Sequence, residues 1–312
     1  MYLALTGGVG GAKLALGLAH VLSSDELVFM ANTGDDFSHF GLHICPDLDT
    51  LMYTLCGEAN PDSGWGRRDE TWQFMAALRA FGGEDWFNLG DRDLATHLVR
   101  TQRLKEGATL TEVTRALCRH LGIEHAVYPM SDDPVPTIVE TADGELPFQH
   151  YFVRDRCAPS VTGFRFDGVE TARPSEPIMK LLSEGRIDGV VICPSNPFVS
   201  VDPMLHLPGL RPALEASGGP VVAVSPIVGG QAIKGPTAKM MRELRLPTTA
   251  IEVARHYGGL LDGFVLDACD QHLTAEIEAM GCRAIATQSV MVTLADRIGL
   301  ARDTLKFLET LK

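Results

Sequence analysis

Four closely spaced pairs of aspartates are the residues of this sequence best suited to chemistry. Each pair lies beside a predicted loop: Asp35/Asp36, Asp47/Asp49, Asp91/Asp93 and Asp132/Asp133. Neighbouring carboxylates can hold a divalent cation that bridges a diphosphate, so Asp47 and Asp49 are predicted magnesium ligands. The alternative for Asp47 is a purely structural N-cap of the helix that follows, because aspartate is strongly favoured at that position.

A glycine-rich stretch at the amino terminus has the composition of a phosphate-binding turn. The apolar run Tyr2–Leu5 precedes it, and leucines recur at helical spacing after it. Glycines let the backbone approach a ligand closely, and the first N–H groups of a helix favour an anion. A tight turn whose glycines only permit packing is the alternative. The residues predicted to hold phosphate are Gly7, Gly8, Gly10, Gly11 and Lys13.

This turn matches neither standard nucleotide-binding fingerprint. A Walker A loop needs Gly-Lys-Ser/Thr, whereas Ala12 and Leu14 flank Lys13 here. The dinucleotide fingerprint fails as well, because Lys13 stands where its third glycine belongs. Asn32 follows the second predicted strand in place of the usual ribose-binding acidic residue. The sequence therefore disfavours a dinucleotide-dependent oxidoreductase.

Three later loops follow predicted strands and are rich in glycine, proline and small polar residues. The carboxyl ends of parallel strands meet at one sheet edge, so these loops are expected to join the glycine-rich turn in a nucleotide site. The alternative is that proline and glycine merely turn the chain there. The loops are 194–197, 225–230 and 234–236, and the predicted nucleotide contacts are Ser195, Asn196, Ser225, Pro226 and Gly229.

The hydrophobic pattern predicts an α/β fold. Apolar runs that lack alternation indicate buried parallel strands at 2–5, 26–31, 189–193, 220–224, 262–266 and 283–287. Helices between them indicate a Rossmann-like, mostly parallel sheet flanked by helices. We expect a single domain over 1–312, with a core of 1–56 and 174–312. The segment of about 57–173 is expected to be a largely helical insertion that also contains a hairpin around Asp143-Gly144.

Composition excludes several function classes. Of 312 residues, 27 are Lys or Arg and 40 are Asp or Glu, and the resulting net charge of −13 argues against nucleic acid as a partner. No apolar run approaches membrane-spanning length, so no membrane partner is expected. The seven cysteines are scattered, as in proteins of the reducing cytoplasm. The sequence lacks a G-x-S-x-G or H-E-x-x-H motif, so no covalent catalysis by the protein is expected.

Seven segments, in order, resemble the 2-phospho-L-lactate transferase family, which makes the deazaflavin coenzyme factor 420. The resemblance extends over essentially the whole chain, and the combination is specific although each motif alone is weak. It implies small-molecule substrates and a requirement for Mg²⁺. The matching segments are 6–13, 32–36, 46–50, 89–97, 130–134, 194–197 and 225–229.

The resemblance also implies a reaction. The ribityl hydroxyl of the deazaflavin alcohol Fo attacks the distal phosphorus of a lactyl, enolpyruvyl or glyceryl diphosphoguanosine, GMP leaves, and a phosphodiester forms. Such phosphoryl transfer needs positioning and charge neutralisation rather than a protein nucleophile. No residue pattern chooses among the three acids. A homodimer is the expected default.

Site roles follow from the same resemblance. Asp49 matches the deazaflavin-contacting aspartate of the family, and Asn88 occupies a second contact position where the family usually has a basic residue. Asn32 and His97 are further expected contacts of the deazaflavin. Asp35, Asp36 and Asp49 are the expected catalytic residues, which bind magnesium and orient the hydroxyl.

One alternative comes from relatives of the same fold. Some of them bind a nucleotide-sugar and act as regulatory proteins without turnover. The segments 89–97 and 130–134 argue against that function, and a test for GMP release would decide between the two.

Overall fold

A computed structural model describes residues 1–312. The strands are β1 (Tyr2–Thr6), β2 (Leu27–Ala31), β3 (Phe37–His39), β4 (Leu42–Ile44), β5 (Ala126–Pro129), β6 (Thr137–Thr141), β7 (Gly144–Pro147), β8 (Val161–Phe166), β9 (Gly189–Ile192), β10 (Val221–Val224), β11 (Ile227–Val228), β12 (Gln231–Ala232), β13 (Gly263–Asp267) and β14 (Arg283–Thr287). The helices are α1 (Gly8–Ala19), α2 (Pro46–Leu55), α3 (Gln73–Ala80), α4 (Asp91–Lys105), α5 (Leu110–His120), α6 (Glu176–Ser183), α7 (Asp202–Leu205), α8 (Leu210–Glu215), α9 (Thr237–Glu243), α10 (Ala250–Tyr257), α11 (Thr274–Glu278) and α12 (Leu294–Glu309). None of these helices combines the length and the apolar content that crossing a bilayer requires.

Seven of the strands form one parallel sheet. Their order is β14-β13-β10-β9-β1-β2-β5, and every neighbouring pair is parallel. The chain proceeds from β1 to β2 on one side, and β9 later pairs on the other side of β1. The strand order therefore reverses at β1, and ligands bind beyond the carboxyl ends of strands at such a point.

Helices cover both faces of this sheet. The side chains of Leu3 and Leu5 point into one apolar cluster, and Ala4 between them points into the other. Residues of α1, α2, α5 and α12 build the second cluster, and residues of α6, α8, α9 and α10 belong to the first. The predicted α/β architecture, a parallel sheet flanked by helices, is confirmed.

The segment expected to be a helical insertion also contributes to the sheet. Strand β5, which the sequence did not predict, pairs with β2 from Val28↔Ala126 to Ala31↔Pro129. It is four residues long and ends in proline, which an edge strand tolerates because one side of it makes no ladder. The insertion expected at about 57–173 is therefore interrupted by a strand of the core.

The predicted hairpin is present and larger than expected. Strands β6 and β7 pair across Asp143-Gly144, and β8 adds a third antiparallel strand. The second strand of the hairpin ends at Pro147, and residues 150–154 form a helical turn. Phe148 and Phe152, at and beside this turn, border a cavity at the carboxyl edge of the parallel sheet.

Candidate active site

A cavity of about 490 Å³ opens at the carboxyl edge of the sheet, where the strand order reverses. It brings together thirteen of the predicted site residues, from six separate segments of the chain. These are Gly7, Gly8, Gly10, Lys13, Asp35, Asp47, Asp49, Asn88, His97, Ser195, Asn196, Ser225 and Pro226. The predicted residues that do not border this cleft are Gly11, Asn32, Asp36 and Gly229.

Close approach of two loops explains most of the amino-terminal glycines. A Cβ on Gly10 would lie 2.4 Å from the carbonyl oxygen of Pro194, and one on Gly11 would lie 2.6 Å from Ser195 Oγ. The Gly7 N–H donates to the same Ser195 Oγ at 3.0 Å. Packing alone therefore requires Gly10 and Gly11. Gly8 is different, because its φ of +63° needs glycine and nothing lies within 4 Å of an added Cβ.

Positive charge gathers beside this loop. Lys13 borders the cleft, and its Nζ donates to the Met291 carbonyl at 3.0 Å. Burial lowers the pKa of Lys13, and the nearby charges of Arg297 and Lys234 lower it further. Like charges held together in this way favour an anion between them. This end of the cleft therefore suits a phosphate chain.

A pair of buried carboxylates faces the same end. Asn32 Nδ2 donates to Asp35 Oδ1 at 3.1 Å and to Asp47 Oδ2 at 2.9 Å, so one amide serves both side chains. Burial raises the pKa of Asp35 well above its usual value, and the charge of Asp47 adds to that shift. Burial also raises the pKa of Asp47, to about 6, although hydrogen bonds from Asn32 and the Gly8 backbone oppose it. A cation between them would relieve this repulsion.

A second charged cluster borders the same cleft, where side chains of α2 and α4 meet. The Asp49 carboxylate accepts two hydrogen bonds from Arg100, one of them from Nη1 at 3.0 Å. His97 lies between two carboxylates, with Nδ1 3.6 Å from Asp49 Oδ2 and Nε2 3.1 Å from Asp93 Oδ2. The Tyr53 hydroxyl donates to Asp93 Oδ1 at 2.7 Å. Asp49 is thus already paired with a cation, in contrast to Asp35 and Asp47.

Asp36, predicted as catalytic, lies outside the main cleft. Its Oδ2 is 3.4 Å from His43 Nε2, and both residues border a neighbouring cavity of about 640 Å³. Burial raises the pKa of Asp36, while hydrogen bonds from His43 and Cys45 lower it. Successive side chains of the 35–36 turn diverge, so only Asp35 reaches the cleft. Asp35 borders both cavities.

Asp91 and the pair Asp132/Asp133 serve local structure. Asp91 Oδ1 accepts from the Phe74 N–H at 3.0 Å and so caps α3 rather than its own helix. Asp132 Oδ1 accepts from the Thr111 N–H at 2.7 Å, and Asp133 Oδ2 accepts from the Arg173 N–H at 2.9 Å. These contacts satisfy backbone donors at turns and helix ends.

Asn88, a predicted contact of the deazaflavin, borders the cleft. Its Oδ1 accepts from Arg79 Nη2 at 3.0 Å, so a guanidinium lies directly beside it. Arg79 also pairs with Asp85 at the surface.

Sequence reasoning missed Arg100, Tyr53 and Trp65, and it named Asp93 in an aspartate pair without assigning it a role in the site. Asp93 and Arg100 share one face of α4 with His97, at the i, i+4 and i+7 spacing of a helix face, and this spacing was a usable signal. Tyr53 lies one turn after Asp49 on α2. Trp65, half exposed at 51%, borders the cleft from a loop whose placement no local pattern specifies.

Comparison with known proteins agrees with this geometry. Residues 3–296 match the family model described as 2-phospho-L-lactate transferase CofD. The chain is 43% identical over 315 residues to a phosphoenolpyruvate transferase of Streptomyces griseus, covering 99% of this chain and 98% of the relative. It is 39% identical to a phosphoenolpyruvate transferase of Mycolicibacterium smegmatis, covering 90% and 91%.

A solved structure of similar fold is a UPF0052 family protein of Bacillus halodurans. Its TM-score is 0.63 at 13% identity, and the match covers 97% of this chain and 98% of that one. At that identity the likeness concerns the fold alone. The family match and the relatives decide membership: the chain belongs to the 2-phospho-L-lactate transferase CofD family, transferases of the biosynthesis of coenzyme factor 420.

Proposed function

We propose that this protein transfers a phosphorylated three-carbon acid from a diphosphoguanosine donor to the ribityl hydroxyl of the deazaflavin Fo, releasing GMP. The group is 2-phospholactyl, phosphoenolpyruvyl or 3-phosphoglyceryl, and the product is the corresponding coenzyme precursor. The proposal rests on one observation: two groups of residues border a single cleft. The first is the glycine-rich loop together with Asp35 and Asp47, which have no cationic partner, and the second is Asp49 with its partner Arg100. Two substrates can therefore meet in this cleft.

The nucleotide end supports binding of a guanosine diphosphate moiety. The start of α1, the 194–197 loop and the 225–226 turn all border the cleft there. Lys13 and Lys234 supply positive charge, and the amino-terminal N–H groups of α1 add the partial charge of a helix end.

The carboxylate chemistry at this end fits magnesium. Asp35 and Asp47 offer hard oxygen ligands, are buried, and share a single side-chain donor, the amide of Asn32. We propose Asp47 and Asp35 as the residues that would hold Mg²⁺. Asp49 is the weaker candidate because both of its oxygens already accept from Arg100. When bound, the ion would offset the negative charge of the diphosphate.

The wall of the cleft that carries Asp49 and His97 supports binding of a planar deazaflavin. Aromatic side chains also border the cleft, and they present flat apolar surface for stacking. Asp49, His97 and Asn88 supply polar contacts for the ribityl chain and the ring edge. The aromatic residues are Trp65, Phe87, Phe148 and Phe152.

The chemical step balances without a covalent enzyme intermediate. The ribityl hydroxyl oxygen forms a bond to the distal phosphorus of the donor. The phosphorus–oxygen bond to GMP breaks, and GMP leaves with the electron pair. The hydroxyl proton passes to the Asp49 carboxylate, which borders the cleft. The remaining work of the protein is positioning and charge neutralisation.

Among the three donors, we propose the enolpyruvyl form as the physiological one. Relatives with 43% and 39% identity carry the name phosphoenolpyruvate transferase. The test is a parallel incubation of the enzyme with Fo, Mg²⁺ and each of the three donors, followed by mass spectrometry. The proposal expects the coupled product from the enolpyruvyl donor at the highest kcat/KM. Preference for another donor would overturn the choice of group and leave the transfer itself intact.

A further inference from the structure

A fully buried cation lies directly behind the Asp49 carboxylate, outside the cleft. Arg100 on α4 is 0% exposed and is the only lysine or arginine among the buried residues of the chain. Its Nη1 donates to Asp49 Oδ2 at 3.0 Å, and its Nη2 donates to Asp49 Oδ1. Asp49 borders the cleft and Arg100 does not. The guanidinium is therefore placed to act on Asp49 rather than on a substrate.

The guanidinium of Arg100 also lies beside the imidazole of His97. Arg100 Nη1 lies 3.3 Å from His97 Nδ1, and His97 Nε2 lies 3.1 Å from Asp93. Tyr53 closes the chain of contacts by donating to Asp93. Four members of this set border the cleft, and each has a fixed partner: Asp49, Tyr53, Asp93 and His97.

The energetics of this arrangement do not favour a purely structural role. A buried ion pair is generally no more stabilising than an apolar pair of similar volume, because both charges lose their hydration. Arg100 Nε also lacks a hydrogen-bond partner, which adds a desolvation penalty. Apolar side chains would fill the space between α2 and α4 at lower cost. A function at the cleft explains why charge is present there.

The charge of Arg100 also acts on the second carboxylate. Burial raises the pKa of Asp93, but hydrogen bonds from His97 and Tyr53 and the charge of Arg100 outweigh it and leave the pKa below its usual value. The side chains that hold Asp49 and Asp93 thus belong to one connected set of contacts. A bidentate guanidinium additionally fixes the plane of the carboxylate that it holds, which a single ammonium does not.

We propose that Arg100 is a positioning residue for the group transfer: its two hydrogen bonds hold the Asp49 carboxylate in one orientation toward the acceptor hydroxyl. This inference rests on the proposed function, in which Asp49 receives the hydroxyl proton. Its consequence is specific. Loss of the guanidinium should reduce kcat, whereas the start of α1 and the loops at 194–197 and 225–226, to which Arg100 makes no hydrogen bond, should keep their affinity for GDP.

The test compares Arg100→Lys with Arg211→Lys, a matched control. Arg211 donates to the Tyr257 carbonyl at 2.9 Å and does not border the cleft. For each variant, kcat, the acceptor KM, the dissociation constant for GDP and Tm are measured. We expect Arg100→Lys to lower kcat about 10- to 100-fold, the range typical of displacing a group that positions the reactants. We expect the GDP affinity of Arg100→Lys to change less than about twofold, as for a substitution at a site independent of nucleotide binding. Arg211→Lys should match the wild type in all four quantities.

A second variant separates positioning from folding. Arg100→Ala leaves space for a free guanidinium ion, and millimolar guanidinium should restore part of kcat in a saturable way, whereas the same concentration of NaCl should not. Unchanged kcat in Arg100→Lys, or parallel losses of GDP affinity and kcat, would overturn the proposal. Failure of both Arg100 variants to fold would also overturn it, since Arg100 would then be a structural cation.

The outcomes distinguish this inference from the proposed function. If the wild type forms product and Arg100→Lys is equally active, only the role of Arg100 is wrong. If the wild type forms no product with any donor, the proposed function fails and the role of Arg100 fails with it.

Discussion

Asn32 holds Asp47 at the nucleotide end of the cleft, with its Nδ2 donating to Asp47 Oδ2 at 2.9 Å. The same amide donates to Asp35 at 3.1 Å, so one neutral group supports two buried carboxylates. Asn32 itself does not border the cleft and contacts the Val199 carbonyl behind it. Its role in the structure is therefore to orient the carboxylate pair, and the contact with the deazaflavin expected from the resemblance stays a prediction.

The raised pKa of Asp47 predicts how metal-free stability varies with pH. The native carboxyl has a pKa of about 6, above its ordinary value of 3.8. Between these values the native state binds more protons than the unfolded state, so this group lowers stability as pH rises. Relative to the wild type, Asp47→Asn should gain free energy of unfolding between about pH 4 and pH 7.5, on the order of 3 kcal/mol. Urea unfolding at both pH values in EDTA measures this, and parallel curves would contradict it.

Magnesium should stabilise the protein through the same carboxylates. A ligand that binds only the native state raises stability according to its concentration over its dissociation constant. We therefore expect Mg²⁺ to raise Tm of the wild type at neutral pH and to have little effect on Asp47→Asn or Asp35→Asn. The exposed Asp62 provides the control, since Asp62→Asn should keep the full response. A full response in Asp47→Asn would place the ion elsewhere.

Two helical glycines should respond oppositely to alanine. A Cβ at Gly10 would lie 2.4 Å from the Pro194 carbonyl oxygen, whereas one at Gly299 would meet nothing within 4 Å. Gly10→Ala should destabilise the fold by about 1–3 kcal/mol through overpacking and weaken GDP binding. Gly299→Ala should stabilise it by about 0.5–1 kcal/mol, because alanine favours a helix. Equal effects of the two substitutions, measured by thermal unfolding, would mean that the loop contact is not tight.

Lys13 should contribute to nucleotide affinity through its charge. Lys13→Met should weaken GDP binding about 10-fold at low salt, with a smaller difference at high salt because added ions screen the interaction. Lys13→Arg should retain most of the affinity. Lys105→Met removes an exposed lysine at the end of α4 and should change nothing. Isothermal titration at two salt concentrations tests this, and an effect independent of salt would contradict an electrostatic role.

Local patterns were sufficient for much of the fold. The buried strands around β1 lack polar residues because helices cover both of their faces, and that signature is readable from the chain. Strand β5 was missed because four residues ending in Pro129 carry too little pattern to separate a strand from a loop.

The sequence predicted the site less completely than the fold, because the main contacts of the site join residues that are far apart in the chain. The loops at the strand ends converge by a topological rule, which explains why Lys13, Asp47 and Ser195 were found. By contrast, Asp35 and Asp36 are adjacent in sequence and nothing local shows which one enters the cleft. Arg100 lies 51 residues from its partner Asp49, and only the packing of α2 against α4 brings them together.

Acceptor-dependent release of GMP tests the proposed transfer reaction most directly. The enzyme is incubated with the enolpyruvyl diphosphoguanosine donor and Mg²⁺, with and without Fo, and both GMP and the coupled product are quantified. We expect one molecule of GMP for each molecule of coupled product, and no GMP release without Fo. GMP released without Fo, or tight nucleotide binding with no product from any of the three donors, would contradict the proposed transfer reaction.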